Sequence, residues 1–194
     1  MSESIYLPSY DDHFKKWGWG YQKKKLDQAL RHFDERGLAL DIGAHVGIWT
    51  HNLQEHFNKV VAFEPQADNY RCLKKNVDVL AYNIALGSER QSVSLTNPLE
   101  GNSGGWEIAE GNTVEMRLLD DFNYKPDLIK IDVQGYELEV LKGAVETLKH
   151  TKALIIEVIN REYNADVEPF MNDHGFVIAQ KIRKDHVYVR KHDN

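Results

Sequence analysis

Leu38-Ala-Leu-Asp-Ile-Gly-Ala-His-Val-Gly47 decides how the rest of the chain is read. Leu38 to Ile42 is a short apolar run of strand length carrying one acid, Asp41, and the glycines at 43 and 47 lead it straight into a segment of helical period. In that segment Val46, Trp49, Leu53 and Phe57 recur at i, i+3, i+7 and i+11, the stripe of an amphipathic helix. Strand, glycine turn and helix in that order form the first half of a βαβ unit. The turn brings backbone N–H groups to the carboxyl end of the strand, where open α/β sheets bind their ligands. Glycine is required where a ligand crosses close to the main chain, since a Cβ would block it. Many strand-to-helix corners use glycine for packing only, so the turn alone does not define a site.

The same alternation continues outward. Residues 60–63 form a second candidate strand, Tyr70, Leu73 and Val77 mark the helix after it, and residues 82–86 make a third strand. Between Gly87 and Asp127 the pattern changes. Residues 92–96 and 113–117 alternate like exposed strands around the Gly- and Asn-rich loop 97–105, which predicts an inserted β-hairpin with a mobile tip. The parallel pattern resumes with a strand at 128–131, a helix carrying Leu138, Leu141, Val145 and Leu148, and a strand at 153–159. A helix over 167–174 stops at Gly175, a residue suited to the left-handed position after a helix. Strands at 176–181 and 186–190, joined through Arg183-Lys184-Asp185, must then pair antiparallel. The order implies a doubly wound, mostly parallel α/β sheet that becomes mixed at its last edge. Residues 1–37, with Trp17, Trp19 and Tyr21 among glycines ahead of a helix over 24–33, are expected to form an arm packed across the sheet's end, and residues 38–194 the main domain.

The 194 residues, 42% hydrophobic and 28% charged, have the composition of one ordinary globular domain. A net charge of −6 disfavours nucleic acid as a partner, because such binders carry a basic face. Lys23-Lys24-Lys25 reads as the solvated face of a helix. No run reaches the roughly 18 apolar residues of a membrane span, and residues 1–12 lack the pattern of a signal peptide, so a cytoplasmic location is expected. The single cysteine, Cys72, reads as a half-buried thiol on a helix.

Glu64 sharpens the chemistry. It ends the second strand 21 positions after Gly43, where an acid accepts both ribose hydroxyls of a nucleoside. A dinucleotide would need a Gly-x-Gly-x-x-Gly turn and a helix N-terminus free for its pyrophosphate. Here Asp41 precedes the first glycine and Gly-Ala-His-Val-Gly replaces that spacing. Asp41 repels pyrophosphate and favours the positive ammonium and sulfonium of S-adenosylmethionine (SAM), which sets an NAD-dependent oxidoreductase aside.

With these residues in place the chain resembles the FkbM-type methyltransferases, a Rossmann-like class of SAM enzymes. The resemblance runs through Leu-Asp41-Ile-Gly-Ala-His-Val-Gly47, Ala62-Phe-Glu-Pro65, Asn83-Ile-Ala-Leu-Gly87 and Asp127-Leu-Ile-Lys-Ile-Asp-Val-Gln-Gly-Tyr-Glu137. It continues in Leu138-Glu-Val-Leu-Lys-Gly143 and Ile156-Glu157-Val158, and covers about residues 38–159. It implies a seven-stranded sheet whose last strand is antiparallel, SAM as cofactor, and methyl transfer to an oxygen of a sugar, glycan or natural-product acceptor. Carried onto this chain, it assigns the cofactor to Asp41, Gly43, Ala44, His45, Gly47, Glu64, Pro65, Asn83, Ala85 and Asp132. Two positions depart from the family. Gln134 stands where a glutamate is usual and cannot act as a base, and His45 stands where asparagine is common.

Asp132, at a strand's ligand-binding end, is the candidate catalytic residue, as a base or to position the acceptor hydroxyl. A structural hydrogen bond is the competing explanation. Glu137, in a first helical turn, is explained by the helix dipole. Asp132, Glu157 and Asn160 permit a Mg²⁺ site without requiring one. Apart from His45, the histidines offer one close pair, His51 and His56, whose i, i+5 spacing does not align them as metal ligands. Trp17, Trp19 and Tyr21 suit either stacking on a sugar or fastening the arm to the core, and Gln22 could reach the cofactor or acceptor from the same arm. Two rivals remain. A SAM-binding module without turnover is kept open by Gln134. A nucleic-acid methyltransferase is disfavoured, because Asp132-Val-Gln-Gly135 replaces the Asp/Asn-Pro-Pro-aromatic turn and Cys72 follows Arg71 rather than proline. Acceptor choice is expected to reside in the arm and in the insert between Gly87 and Asp127.

Overall fold

Strand β1 (Leu38–Ile42) lies between β2 (Lys59–Phe63) and β7 (Leu128–Ile131), parallel to both. The computed structural model describes residues 4–97, 99–158 and 165–191. From β1 the chain steps outward through β2 to β3 (Leu80–Tyr82), then returns to the other side of β1 to add β7 and β8 (Ala153–Glu157), all parallel. The last strands, β9 (Phe176–Ile182) and β10 (Asp185–Arg190), complete the order β3-β2-β1-β7-β8-β10-β9. Strand β10 is antiparallel to both of its neighbours, and the two-residue 183–184 connection requires this of its pairing with β9. The winding direction therefore reverses between β1 and β7, and the crevice at such a switch point is where doubly wound sheets bind ligands.

The central strands are apolar because both faces are covered. Leu40, Ile42, Ile129 and Ile131 point into one core, shared with α4 (Glu137–Lys142), α5 (Val145–Leu148) and α6 (Val167–Asp173). Ala39 and Leu128 point into the other, with Leu26 and Ala29 of α1 (Lys23–Ala29) and Trp49 and Leu53 of α2 (Ile48–Gln54). The arm's helix is thus part of the core. By the two-residue period, Asp41 and Lys130 lie on this second face. They are also cross-strand partners in the β1–β7 register.

Several elements differ from their sequence outlines. The strand expected over 82–86 is divided: β3 ends at Tyr82 in the main sheet, and β4 (Ala85–Leu86) pairs with β6 (Glu107–Arg117) in a separate three-stranded sheet with β5 (Gln91–Thr96). Asn83 makes the transition, its side-chain amide donating to the carbonyls of Glu64 and Pro65 at 2.8 and 3.0 Å. The predicted hairpin is present, but β6 starts earlier than expected, and the register jumps from Val93↔Val114 to Ser94↔Ala109 to absorb a bulge around Gly111. The helix expected through Leu138 and Leu148 is two helices. A Cβ at Gly143 would collide with the carbonyl oxygen of Gly87, so the break lies where another segment crosses. Helix α1 ends at Ala29 and passes into a 3₁₀ turn over Leu30–His32. Helix α3 (Ala67–Asn76) begins with the Gln66 side chain accepting from the Asn69 N–H, and Cys72 on it is half-buried.

Candidate active site

A cavity of about 340 Å³ opens at the carboxyl ends of β1, β2, β7 and β8. Gly43, Ala44, His45, Glu64, Pro65, Ala85 and Asp132, all assigned from the sequence, line it. Asp41, Gly47 and Asn83, assigned with them, are not part of the lining. A Cβ on Gly43, at φ +75°, would strike the carbonyl oxygen of Asp132, and one on Gly47, at φ +94°, would press on Val77 and Leu73. The two glycines therefore let the turn fold tightly against β7 and α3. This tightness leaves room for a ligand above the turn.

Glu64 leaves β2 and folds back onto the turn. One carboxylate oxygen accepts the His45 N–H at 2.7 Å and the other accepts the Gln66 N–H at 2.9 Å. The residue is buried. Burial pushes its carboxyl up to about 7 in spite of these donors, which favour the charged form. Each oxygen keeps a lone pair for a ligand hydroxyl.

On the opposite side lies a cluster built on a residue that sequence reasoning did not single out, Lys130. Its ammonium is 3.5 Å from Asp41 Oδ1 and 3.5 Å from Asp132 Oδ2, donates to the Gly43 carbonyl at 3.2 Å, and sits over the Trp49 ring. A lone cation inside the four-residue central strand Leu128–Ile131 was the available signal. The second Asp41 oxygen accepts from Thr50 Oγ1 at 2.7 Å, so Asp41 is committed to the protein on both sides. Extending the β7–β8 register by one residue sets Asp132 opposite Glu157. Burial would raise the Asp132 carboxyl, but Lys130 and hydrogen bonds from Glu157 and Gln134 hold it below the usual range. Burial, the Asp132 charge and the shared hydrogen bond push Glu157 up to about 8. The pair as a whole thus holds a proton more tightly than a lone carboxyl does. Gln134, held at φ +54°, donates to Asp132 at 2.7 Å and makes a longer contact to Glu157 at 3.4 Å. Glu137 is buried and accepts from the Val133 and Gly135 N–H groups, so it shapes the turn after β7 in addition to facing a helix N-terminus.

Of the residues that permit a Mg²⁺ site, Asp132 is paired with the Lys130 ammonium at 3.5 Å and shares a hydrogen bond with Glu157. Asn160, the third residue of that set, lies outside the described residues. Among the described residues no group of three or more metal-ligating side chains converges. No described helix is long and apolar enough to cross a membrane.

The arm and the insert roof the cavity. Phe14, Tyr21 and Gln22 reach it from the arm, and Ser103 and Trp106 from the insert. Gln22 accepts from Trp49 Nε1 at 2.7 Å. Trp19 packs on His51 at 4.3 Å between centroids, fastening the arm, while Trp17 is exposed and leans on Tyr21. Asp11 and Ser103, both fully buried, carry the contact between arm and insert, and no sequence pattern marked them.

The FkbM methyltransferase domain matches residues 41–178. The chain belongs to that family. A relative within reach of sequence comparison is the hexuronic acid methyltransferase AglP of Haloferax volcanii, 28% identical over 152 residues, which are 72% of this chain and 61% of that protein. This FkbM-family chain thus spans somewhat under two thirds of that relative's length. Its fold is shared by magnesium protoporphyrin IX methyltransferase from Synechocystis PCC 6803, solved with bound SAM, at a TM-score of 0.57, 15% identity and coverage of 96% and 88% of the two chains. Ribosomal protein L11 methylase from Lactobacillus delbrueckii subsp. bulgaricus superimposes at 0.55, with 16% identity and coverage of 95% and 92%.

Proposed function

We propose that this FkbM-family chain transfers the methyl group of SAM to an oxygen of a sugar or related acceptor, with Glu64 receiving the ribose hydroxyls and Asp132 the acceptor's proton. One observation carries the proposal. A single cavity has at one end a buried carboxylate that accepts backbone N–H groups, and at the other a carboxylate beside the Lys130 ammonium that shares a hydrogen bond with a second carboxyl, Glu157. The first suits a neutral diol and the second a proton in transit. The volume falls in the range of about 300–1,000 Å³ typical of small-molecule sites. The sugar acceptor is suggested by the hexuronic acid methyltransferase relative.

The glycine turn and Glu64 would hold SAM, which would supply an electrophilic methyl for the acceptor oxygen, its sulfur keeping the electron pair of the broken C–S bond. Asp132 takes the proton that the oxygen sheds. Gln134 holds Asp132 by its amide and does not exchange a proton itself, so its replacement of the family's glutamate changes how Asp132 is held and leaves a base in place. Glu157 returns a proton to the shared hydrogen bond or withholds it, according to pH. Most of the rate then comes from proximity and orientation, with modest help from the base.

The test is transfer of isotopically labelled methyl from SAM to a panel of hexoses, uronic acids and their glycosides, with products resolved by mass spectrometry. Label on a sugar oxygen is expected. SAM binding without transfer to any acceptor would favour the binding-module alternative, and transfer to RNA or DNA in preference to sugars would replace the acceptor class.

A further inference from the structure

We propose that Asp11 and Ser103 are positioning residues for the nucleoside end of this site, acting through His45 to fasten the arm and the insert over the bound cofactor. The inference rests on SAM occupying the cavity. It begins from a buried carboxylate that the chemistry above does not use. Asp11 Oδ1 accepts the Phe14 N–H at 2.7 Å, which starts the arm's first 3₁₀ turn. Its Oδ2 accepts both the N–H and the hydroxyl of Ser103, 92 residues away at the tip of the insert. The Ser103 hydroxyl has one proton, and that proton goes to Asp11, so its oxygen accepts from His45 Nε2–H at 2.6 Å. The His45 backbone N–H in turn donates to Glu64. An unbroken line of hydrogen bonds thus joins the arm, the insert, the glycine turn and the acid assigned to the ribose.

Packing follows the same line. The Phe14 ring lies 4.5 Å from the His45 ring and against Gly104, where a Cβ would come within 3.1 Å of it. The N–H groups of Asp12 and His13 both donate to the Gly101 carbonyl, and Asn69 of α3 donates to the Ser103 carbonyl at 2.8 Å. His45 holds a left-handed backbone at φ +52°, a region that among residues other than glycine is visited mostly by asparagine, aspartate and histidine. Asparagine, common here in the family, would accept that backbone more readily, but its amide ends nearer the main chain than imidazole Nε2. The histidine is the longer reach that the Ser103 contact needs. Because the roof and the ribose acceptor share one chain of bonds, a ligand on Glu64 and closure of the roof support each other.

The experiment uses the full chain and S-adenosylhomocysteine, the demethylated cofactor, as probe. Calorimetry and stopped-flow should show Ser103→Ala and Asp11→Asn each weakening binding by about tenfold or more, mainly through faster dissociation. The double variant should bind within about twofold of the weaker single variant, since both break one line. In the wild type the probe should slow tryptic cleavage at the exposed Lys15 and Lys16, and in Ser103→Ala it should not. If Asp11→Asn fails to fold, Ser103→Ala, which keeps the Asp11 bond to Phe14, carries the test. Variants that bind within about twofold of wild type, or whose losses simply multiply, overturn the proposal and leave the SAM assignment standing. A wild type that binds no probe overturns both.

Discussion

Glu64 and Glu157 are glutamates at the carboxyl ends of strands in one sheet, both hold their protons more tightly than a solvated carboxyl, and they do so for different reasons. Around Glu64 burial acts against N–H donors and, more weakly, the Lys130 charge, so a ligand that brings further hydroxyl donors should drive the proton off. Around Glu157 burial acts together with a neighbouring negative charge, so its proton is shared with Asp132 and belongs to the pair. On the proposed function the first arrangement would serve as a receptor and the second as a proton store. Both depend on burial, and what separates them is whether the nearest partner is an N–H or a carboxylate.

Asp132→Asn should break this contrast most severely. It removes the member of the pair whose carboxyl the Lys130 ammonium holds below the usual range, and turnover is expected to fall by about 10² to 10⁴ while SAM affinity stays within a few-fold. Steady-state kinetics beside calorimetry would check both halves. Near-normal turnover would leave orientation as the sole source of rate.

The two halves also differ in how far they could be read from the sequence. Glu64 was legible because its setting is local: a strand end, a fixed interval from Gly43, and backbone donors supplied by His45 and Gln66. The places of the parallel strands along the chain were legible for the same reason, since β1, β2, β7 and β8 are short apolar runs bounded by turns. The Asp132 half was less so. Its charge depends on Lys130, which reads as an ordinary lysine until the β1–β7 register sets it against Asp41. Asp41 faces Thr50 and Lys130 because of which side of β1 meets α2, a tertiary fact. Residues 82–86 looked like one strand because both halves are apolar, and only the bonds from Asn83 to the Glu64 and Pro65 carbonyls show where the chain leaves the sheet. Asp11 and Ser103 meet across 92 residues, so no local pattern announces them.

A smaller effect should appear in stability against pH. Glu64 and Glu157, raised to about 7 and about 8, contribute stability that is full below the ordinary carboxyl value and lost as pH rises through those values. Burial lowers His45 to about 4, so it acts in the opposite sense, contributing above its ordinary value of 6.5 and losing that contribution as pH falls. The two trends oppose each other below about pH 6.5, and only the carboxyls act from there to about pH 8.5. Scanning calorimetry without cofactor should show Tm falling by about 4 °C or more over that upper window, and Glu157→Gln should flatten its upper part. A level profile in the wild type would mean that neither acid holds its proton.

The most direct measurement is calorimetric titration of SAM into the wild-type chain and into Glu64→Ala. If Glu64 receives the ribose hydroxyls, the variant should lose about 1.5 to 3 kcal/mol of binding free energy, the scale of hydrogen bonds to a charged acceptor. Equal affinity in a folded Glu64→Ala chain would contradict the assignment of this cavity as the cofactor site.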